Sequence, residues 1–235
     1  MGQGIQQAPV QQGGGGSSLM DVLKVLYEPG AVFERVREKP SFLVPYLVIC
    51  VVQIAVYVVN MPFLKAGMAA QIASRPAGGP DPSKFLWIGA VFIPVGFAIG
   101  LLIGAGLLWV LVSVFGGEAK FGKLMSVAAY SAVPSVVLLA IVGTLVLHMQ
   151  GVGQITGPQD LQPALGLDLL APGAKGFLGA VLKSINPFSI WGLVLTAIGV
   201  STTHRLSKQT GYMVATVGFL IGVIIAGGAA AVFKR

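Results

Sequence analysis

Charged residues are scarce in this sequence, since Asp, Glu, Lys and Arg together make up 10% of its 235 residues, against about 25% in a typical soluble domain. Hydrophobic residues make up 55%. So few charges cannot solvate the surface of a soluble enzyme or of a disordered chain. The net charge is +7, but the basic residues stand singly and form no stripe, so nucleic acid is not an expected partner. The composition predicts a polytopic membrane protein.

Cysteine and targeting signals are equally sparse. The single cysteine, Cys50, lies in an apolar run and has no partner for an intramolecular disulfide, so we interpret it as a small hydrophobic side chain. Residues 1–18 are rich in Gly, Gln and Ser and lack the basic and apolar regions of a signal peptide. Gln6 stands where the myristoylation pattern requires Ser or Thr. Residues 1–18 are therefore expected to be a flexible tail.

The sequence also lacks the residue patterns of catalysis. It contains no phosphate-binding loop, nucleotide-binding fingerprint or pair of neighbouring carboxylates. Its two histidines, His148 and His204, fall at opposite membrane boundaries, whereas a zinc site needs three or four ligands together. We therefore expect no catalytic residue, no metal and no cofactor, and interpret the chain as a protein that is not an enzyme.

Long apolar stretches are abundant. A bilayer core of about 30 Å is crossed by about 20 apolar residues in a helix. Five stretches meet this length or approach it: 42–64, 85–115, 124–148, 187–203 and 212–233. None contains Asp, Glu, Lys or Arg, which argues against a proton-coupled transporter. The sequence thus predicts an all-α bundle of five transmembrane helices over residues 42–235.

Apolar and charged residues interleave at helical spacing in residues 19–41. Pro29 and Gly30 divide the segment into two short pieces, each too short to span a membrane. We predict two amphipathic helices at the membrane interface. An alternative is that they pack on the protein's own loops.

The connections between spans differ in length and charge. Residues 116–123 and 204–211 are short and basic, whereas 65–84 and 149–176 are longer and contain the aspartates. Because short basic loops tend to stay in the cytoplasm, this distribution favours a cytoplasmic amino terminus.

Small residues recur at every fourth position in two spans. They are Gly96, Gly100 and Gly104 in the second span, and Gly218, Gly222 and Ala226 in the fifth. Such residues let two helix backbones approach closely in lipid. The partner helix could belong to the same bundle or to a second copy of the chain, and the motif does not decide between them.

Polar residues also gather in the third span. Tyr130, Ser131 and Pro134 could line a polar groove for a solute, or the hydroxyl groups could instead hydrogen-bond to neighbouring helices. A groove with a proline-interrupted helix is a feature that transporters use.

Three stretches together resemble the Yip1 family of multispanning membrane proteins in its bacterial form. They are LYEPGAVFERVREKPSFLVPYL before and into the first span, FGGEAKFGKLMSVAAYSAVPSVV leading into the third, and INPFSIWGLVLTAIGVS in the fourth. The last contains the motif residues Asn186, Pro187, Phe188 and Trp191, of which the first two also form a typical helix start.

The resemblance implies a five-span bundle with a cytoplasmic amino terminus, in the inner membrane of a bacterium. Eukaryotic members act in vesicle trafficking and bind prenylated Rab GTPases. The Asp-Leu-Tyr-Gly-Pro opening of those members is absent here, so Rab binding is not carried over. The leading hypothesis is a non-catalytic protein that organises membrane partners, including copies of itself, or local bilayer shape. The alternative is a transporter or channel for a small neutral or lipid-like solute.

Overall fold

The computed structural model describes residues 19–73 and 85–233, so the predicted tail over 1–18 lies outside the described residues. The described part contains α-helices and short helical turns and no strand. The helices are α1 Leu19–Lys24, α2 Pro29–Glu38, α3 Leu43–Val59, α4 Met61–Ala73, α5 Leu86–Val114, α6 Phe121–Ala132, α7 Leu139–Gln150, α8 Gly176–Ser184, α9 Pro187–His204 and α10 Lys208–Phe233.

Three of these helical segments are long and apolar enough to cross a membrane: α5, the continuous run from α6 through α7, and α10. Two further candidates are bent pairs, α3 with α4 at 60° and α8 with α9 at 62°. If each pair counts as one span, the structure has five crossings. The predicted fold class, an all-α polytopic membrane protein, is confirmed.

The first predicted span does not run straight to residue 64. Helix α3 ends at Val59, and the chain bends at Asn60 before α4 begins. The Asn60 side-chain amide donates a hydrogen bond to the Thr144 hydroxyl of α7 at 2.8 Å. A polar side chain thus joins two helices at the point where the first one breaks.

The two short amphipathic helices lie at one end of the bundle. Helix α2 packs on α6 and α9 and buries Val32, Phe33 and Val36 completely or almost completely. Its apolar face is therefore covered by protein, not by lipid. Helix α1 differs, because Leu19 and Leu23 remain more than half exposed there while Val22 is buried.

An ion pair links these two helices. The Arg35 guanidinium of α2 donates to both carboxylate oxygens of Asp21 in α1, at 2.5 and 3.3 Å. The Asp21 side chain is only 6% exposed, while that of Arg35 is 37% exposed. The carboxylate is thus withdrawn from water and compensated by a bidentate partner.

Helix α3 is held to α5 by two tyrosine side chains that stand in an otherwise apolar sequence. The Tyr46 hydroxyl donates to the Pro94 carbonyl at 3.0 Å, and the Tyr57 hydroxyl donates to the Leu86 carbonyl at 2.6 Å. Both acceptors belong to α5. Lipid offers no hydrogen-bond acceptor at this depth, so each bond gives a tyrosine hydroxyl the acceptor that it would otherwise lack.

The third span is interrupted by a π-helical turn over Val133–Leu138, between α6 and α7. The Leu139 N–H reaches back five residues to the Pro134 carbonyl, the pattern of a π-turn. The Gln53 amide of α3 donates to the Val136 carbonyl within this turn at 2.6 Å. The widened turn therefore offers a backbone acceptor to another helix.

Candidate functional site

Two of the three second-span glycines, Gly96 and Gly100, face away from the bundle, whereas Gly104 borders a cavity inside it. A Cβ atom at Gly96, Gly100 or Gly104 would meet no neighbouring atom within 4 Å. Gly96 and Gly100 are exposed, and Gly104 is half-buried. In the described part of the chain, no other helix occupies the close approach that this motif allows.

The three small residues predicted for packing in the fifth span have different surroundings. A Cβ atom at Gly218 would lie 3.3 Å from a methyl group of Leu111, so this glycine faces α5. Gly222 meets nothing within 4 Å, and Ala226 is exposed. Only the first of these three positions contributes to contact between α10 and α5.

Other glycines make the close helix contacts. A Cβ atom would lie 3.0 Å from the Ser131 carbonyl oxygen at Gly192, 2.7 Å from Val127 at Gly199 and 2.6 Å from the Ala197 carbonyl oxygen at Gly211. These positions join α9 to α6 and α10. They carry no four-residue repeat with one another, so the spacing of small residues could not identify them.

The three residues of the predicted polar groove lie in different surroundings in the structure. Tyr130 is fully buried, and its ring packs edge-on against Phe33 with centroids 6.4 Å apart. Pro134 is buried in the π-helical turn. Ser131 alone of the three lines a cavity of 280 Å³ between α5, α6, α9 and α10, which we term the inner cavity.

The inner cavity is mostly apolar but has one conspicuous polar group. The Ser131 hydroxyl is buried and has no hydrogen-bond partner among the described residues. Two of the predicted packing residues, Gly104 and Gly218, line the same cavity. The structure therefore brings together a predicted groove residue and residues predicted only for helix packing.

A second cavity, of 710 Å³, lies at the end of the bundle opposite α1 and α2, between α3, α7 and the segment 158–168. We term it the outer cavity. Its size falls within the range of about 300–1,000 Å³ that is usual for small-molecule sites. Its polar lining residues include Gln53, Tyr57, Asn60, Thr144, Asp168 and Lys183.

Sequence reasoning missed these residues. Gln53, Tyr57 and Asn60 are spaced by four and then three positions in an otherwise apolar run, which places them on one helix face. That spacing was a usable signal. Asp168 and Lys183 could not be found in this way. They are more than a hundred residues from α3 in the sequence, and only the folded chain brings them to the same cavity.

Two oxygen atoms at the outer cavity lack partners. Asp168 is 8% exposed, and its Oδ1 accepts a hydrogen bond from the Gly166 N–H at 2.9 Å. Its Oδ2 has no partner among the described residues, and the same holds for Oδ1 of Asn60. Shielded acceptors of this kind cost about 1–3 kcal/mol each when nothing donates to them.

The end of the bundle that carries α1 and α2 is basic. Arg37, Lys120, Lys123 and Arg205 line a common cavity of 470 Å³, together with Glu38 and Glu118. The backbone N–H of Lys120 donates to His204 Nε2 at 3.3 Å, which ties the loop before α6 to the end of α9. The fold thus gathers four cations that stand singly in the sequence.

The two histidines lie apart. The His148 ring packs against that of Phe63 at a tilt of 58°, with centroids 4.7 Å apart, near the outer cavity, while His204 lies at the basic end. Among the residues that the structure describes, no group of three or more His, Cys, Asp or Glu side chains could hold a metal ion.

The fourth span begins as its sequence predicts. The Asn186 side-chain oxygen accepts from the Ser189 N–H at 2.9 Å, and the Ser189 hydroxyl oxygen accepts from the Asn186 N–H at 3.0 Å. Pro187 is the first helical residue. The predicted N-cap is confirmed, whereas Trp191 is part-exposed on the outside of the helix.

These features define a polytopic all-α membrane protein whose short amino-terminal helices dock on the bundle. Comparison with known proteins identifies the family: the model of the Yip1 domain matches residues 23–230. The chain belongs to the Yip1 family. It is also similar to the membrane protein YknW of Bacillus subtilis (strain 168), with 26% identity over 210 residues that cover 86% of this chain and 85% of that protein. No solved structure matches it.

Proposed function

We propose that this protein is a non-catalytic membrane organiser that assembles with a second copy of itself through the outward glycine face of α5. The observation that carries the proposal is the open space beside Gly96 and Gly100, both of which are exposed. Glycine in a lipid-facing helix contributes little packing with lipid, but it lets a second backbone approach closely. Two copies of one face, related by a twofold axis, would form a closed dimer.

The orientation belongs to the same proposal. The cations around the basic cavity lie on the side of α2, of the loop before α6 and of the end of α9. Because cytoplasmic loops carry an excess of Lys and Arg, this supports a cytoplasmic amino terminus in a bacterial inner membrane. The exposed apolar residues of α1, Leu19, Met20 and Leu23, would then contact the inner-leaflet interface.

The proposal is tested by Gly100→Leu. We expect wild-type protein, released gently from its membrane, to be a dimer by native mass spectrometry, and the variant to shift to monomer. Its helix content should be unchanged, because a Cβ atom at position 100 meets no atom of the described residues within 4 Å.

The matched control is Gly106→Leu. Gly106 also has open space for a Cβ atom, but it lies about 120° around α5 from Gly100 at about 100° per residue. This variant should remain dimeric. A wild-type monomer, or equal dimer fractions in both variants, would rule out assembly through this face.

A second candidate function, passage of a small neutral or lipid-like solute, has one observation in its favour. The inner cavity holds the unpartnered Ser131 hydroxyl between four helices. If solute passes there, Ser131→Ala should reduce flux into liposomes at least about tenfold, the effect of losing one well-placed hydrogen bond to a substrate. Absence of flux for wild-type protein across a panel of neutral solutes would dismiss this candidate.

A further inference from the structure

The outer cavity is lined by one carboxylate and one ammonium group that do not bind each other. The Lys183 ammonium group donates to the Gln162 carbonyl at 3.1 Å. The Asp168 carboxylate accepts only from the Gly166 N–H through Oδ1, among the described residues, and its Oδ2 is unpartnered. Two opposite charges thus line one cavity without neutralising one another.

Asp168 is the group most in need of a ligand. The residue is more than nine-tenths buried, and an uncompensated carboxylate away from water is costly. The second acceptor without a partner, Oδ1 of Asn60, belongs to another residue that lines this cavity. The site therefore has two acceptor oxygens without donors. A ligand that donates several hydrogen bonds and carries positive charge would be complementary to it.

An organic ammonium group fits these acceptors better than a metal ion does. It offers three N–H donors. Divalent Ca²⁺ instead takes six to eight oxygen ligands, commonly from several carboxylates. The described part of the chain brings no cluster of three acidic, His or Cys side chains to this cavity or to any other place.

The other residues that line the outer cavity indicate the chemistry of the rest of the ligand. Leu139, Leu147 and Leu161 give part of the cavity an apolar wall, and Lys183 adds a cation suited to a phosphate group. We propose that the outer cavity binds a primary ammonium group joined to a phosphate, as in the phosphoethanolamine head of a phospholipid or in the free head group. This site does not depend on assembly through the α5 face.

The test uses the full-length protein in lipid nanodiscs that contain equal amounts of phosphatidylethanolamine and phosphatidylcholine. The choline head carries three methyl groups in place of the N–H donors, so the two lipids differ in the group that Asp168 would bind. We expect native mass spectrometry to show retained phosphatidylethanolamine in preference to phosphatidylcholine by about tenfold, the effect of a lost charge-assisted hydrogen bond.

The decisive variant is Asp168→Asn. Asparagine keeps a side-chain oxygen for the Gly166 N–H, so the turn is preserved while the charge is removed. The preference for phosphatidylethanolamine should be abolished. Lys183→Gln should weaken binding of the phosphate-bearing head but leave the ammonium preference.

Asp160→Asn is the matched control. Asp160 lies in the same segment but does not line the cavity. Hydrogen bonds from the Thr156 hydroxyl and backbone N–H hold its pKa below the usual range, so it is charged at neutral pH. The control removes the same charge from the same segment. Asp160 interacts electrostatically with Lys183, which would bind the phosphate common to both lipids, so the preference between their head groups should be retained.

A second arm distinguishes the sources of the ligand. In nanodiscs of phosphatidylcholine alone, free phosphoethanolamine is added and the unfolding temperature is measured. A rise that Asp168→Asn abolishes, without any lipid preference, would assign the site to a soluble ligand. If wild-type protein shows neither a lipid preference nor a thermal shift, or if both persist in Asp168→Asn, the proposed site is overturned.

Discussion

Gly199→Leu should undock α2 from the bundle. A Cβ atom at position 199 would lie 2.7 Å from a methyl group of Val127 and 2.9 Å from the ring of Phe33. Both neighbours are fully buried, so neither has room to move aside. Overpacking of a tight core costs about 1–3 kcal/mol, and at a three-helix contact we expect the upper end of this range.

The expected readouts are thermal and proteolytic. An unfolding temperature measured in mild detergent should fall by about 10 °C, given the shift per kcal/mol usual for chains of this length. Trypsin should cleave after Arg35 and Arg37, which are protected while α2 is helical and docked on α6 and α9.

Gly106→Leu, which leaves the proposed dimer face intact, is the control for this experiment as well. It adds the same side chain to a glycine in another span, but in open space. Its unfolding temperature and trypsin pattern should match the wild type. Equal behaviour of the two variants would show that Phe33 does not depend on the close approach at Gly199.

Arg35→Met is expected to have the second large effect. It removes the guanidinium that binds both oxygens of Asp21, whose side chain is 6% exposed. A buried carboxylate that loses its ion pair costs about 1–3 kcal/mol. The unfolding free energy, measured by denaturant titration in mixed micelles, should fall by this amount.

A double-mutant cycle separates this pair from general packing. Asp21→Asn removes the charge but keeps an oxygen, so it should destabilise less than Arg35→Met. Because Asp21→Asn removes the carboxylate charge that the Arg35 guanidinium compensates, the double variant should recover part of the loss. Strictly additive losses would mean that the ion pair contributes nothing to docking α1.

The family motifs and the long apolar runs were readable without a structure because they depend on local order along the chain. Twenty apolar residues in a row have one stable environment in a cell, the bilayer, and a helix is the form that satisfies their backbone there. The helix start at Asn186 and Pro187 was equally local, since an N-cap involves residues three positions apart.

Spacing alone could not identify the partner helix of the glycine-rich spans. The regular repeat includes Gly96 and Gly100, beside which no helix among the described residues approaches closely, and Gly104, which borders the inner cavity. The irregular Gly192, Gly199 and Gly211 carry the close contacts instead. Which face of a helix meets a neighbour depends on its rotation in the bundle, and short-range spacing does not encode that rotation.

The sequence by itself thus determined the membrane environment, the helical class, the family and the absence of charge within the predicted spans. Only the tertiary structure decided that α2 is buried by protein, that Tyr130 belongs to the core, and that Asp168 meets Asn60 and Lys183 around one cavity. The physical reason is distance along the chain. Composition and helix starts are settled within a few turns, whereas a cavity is formed by residues more than a hundred positions apart, brought together by the packing of whole helices.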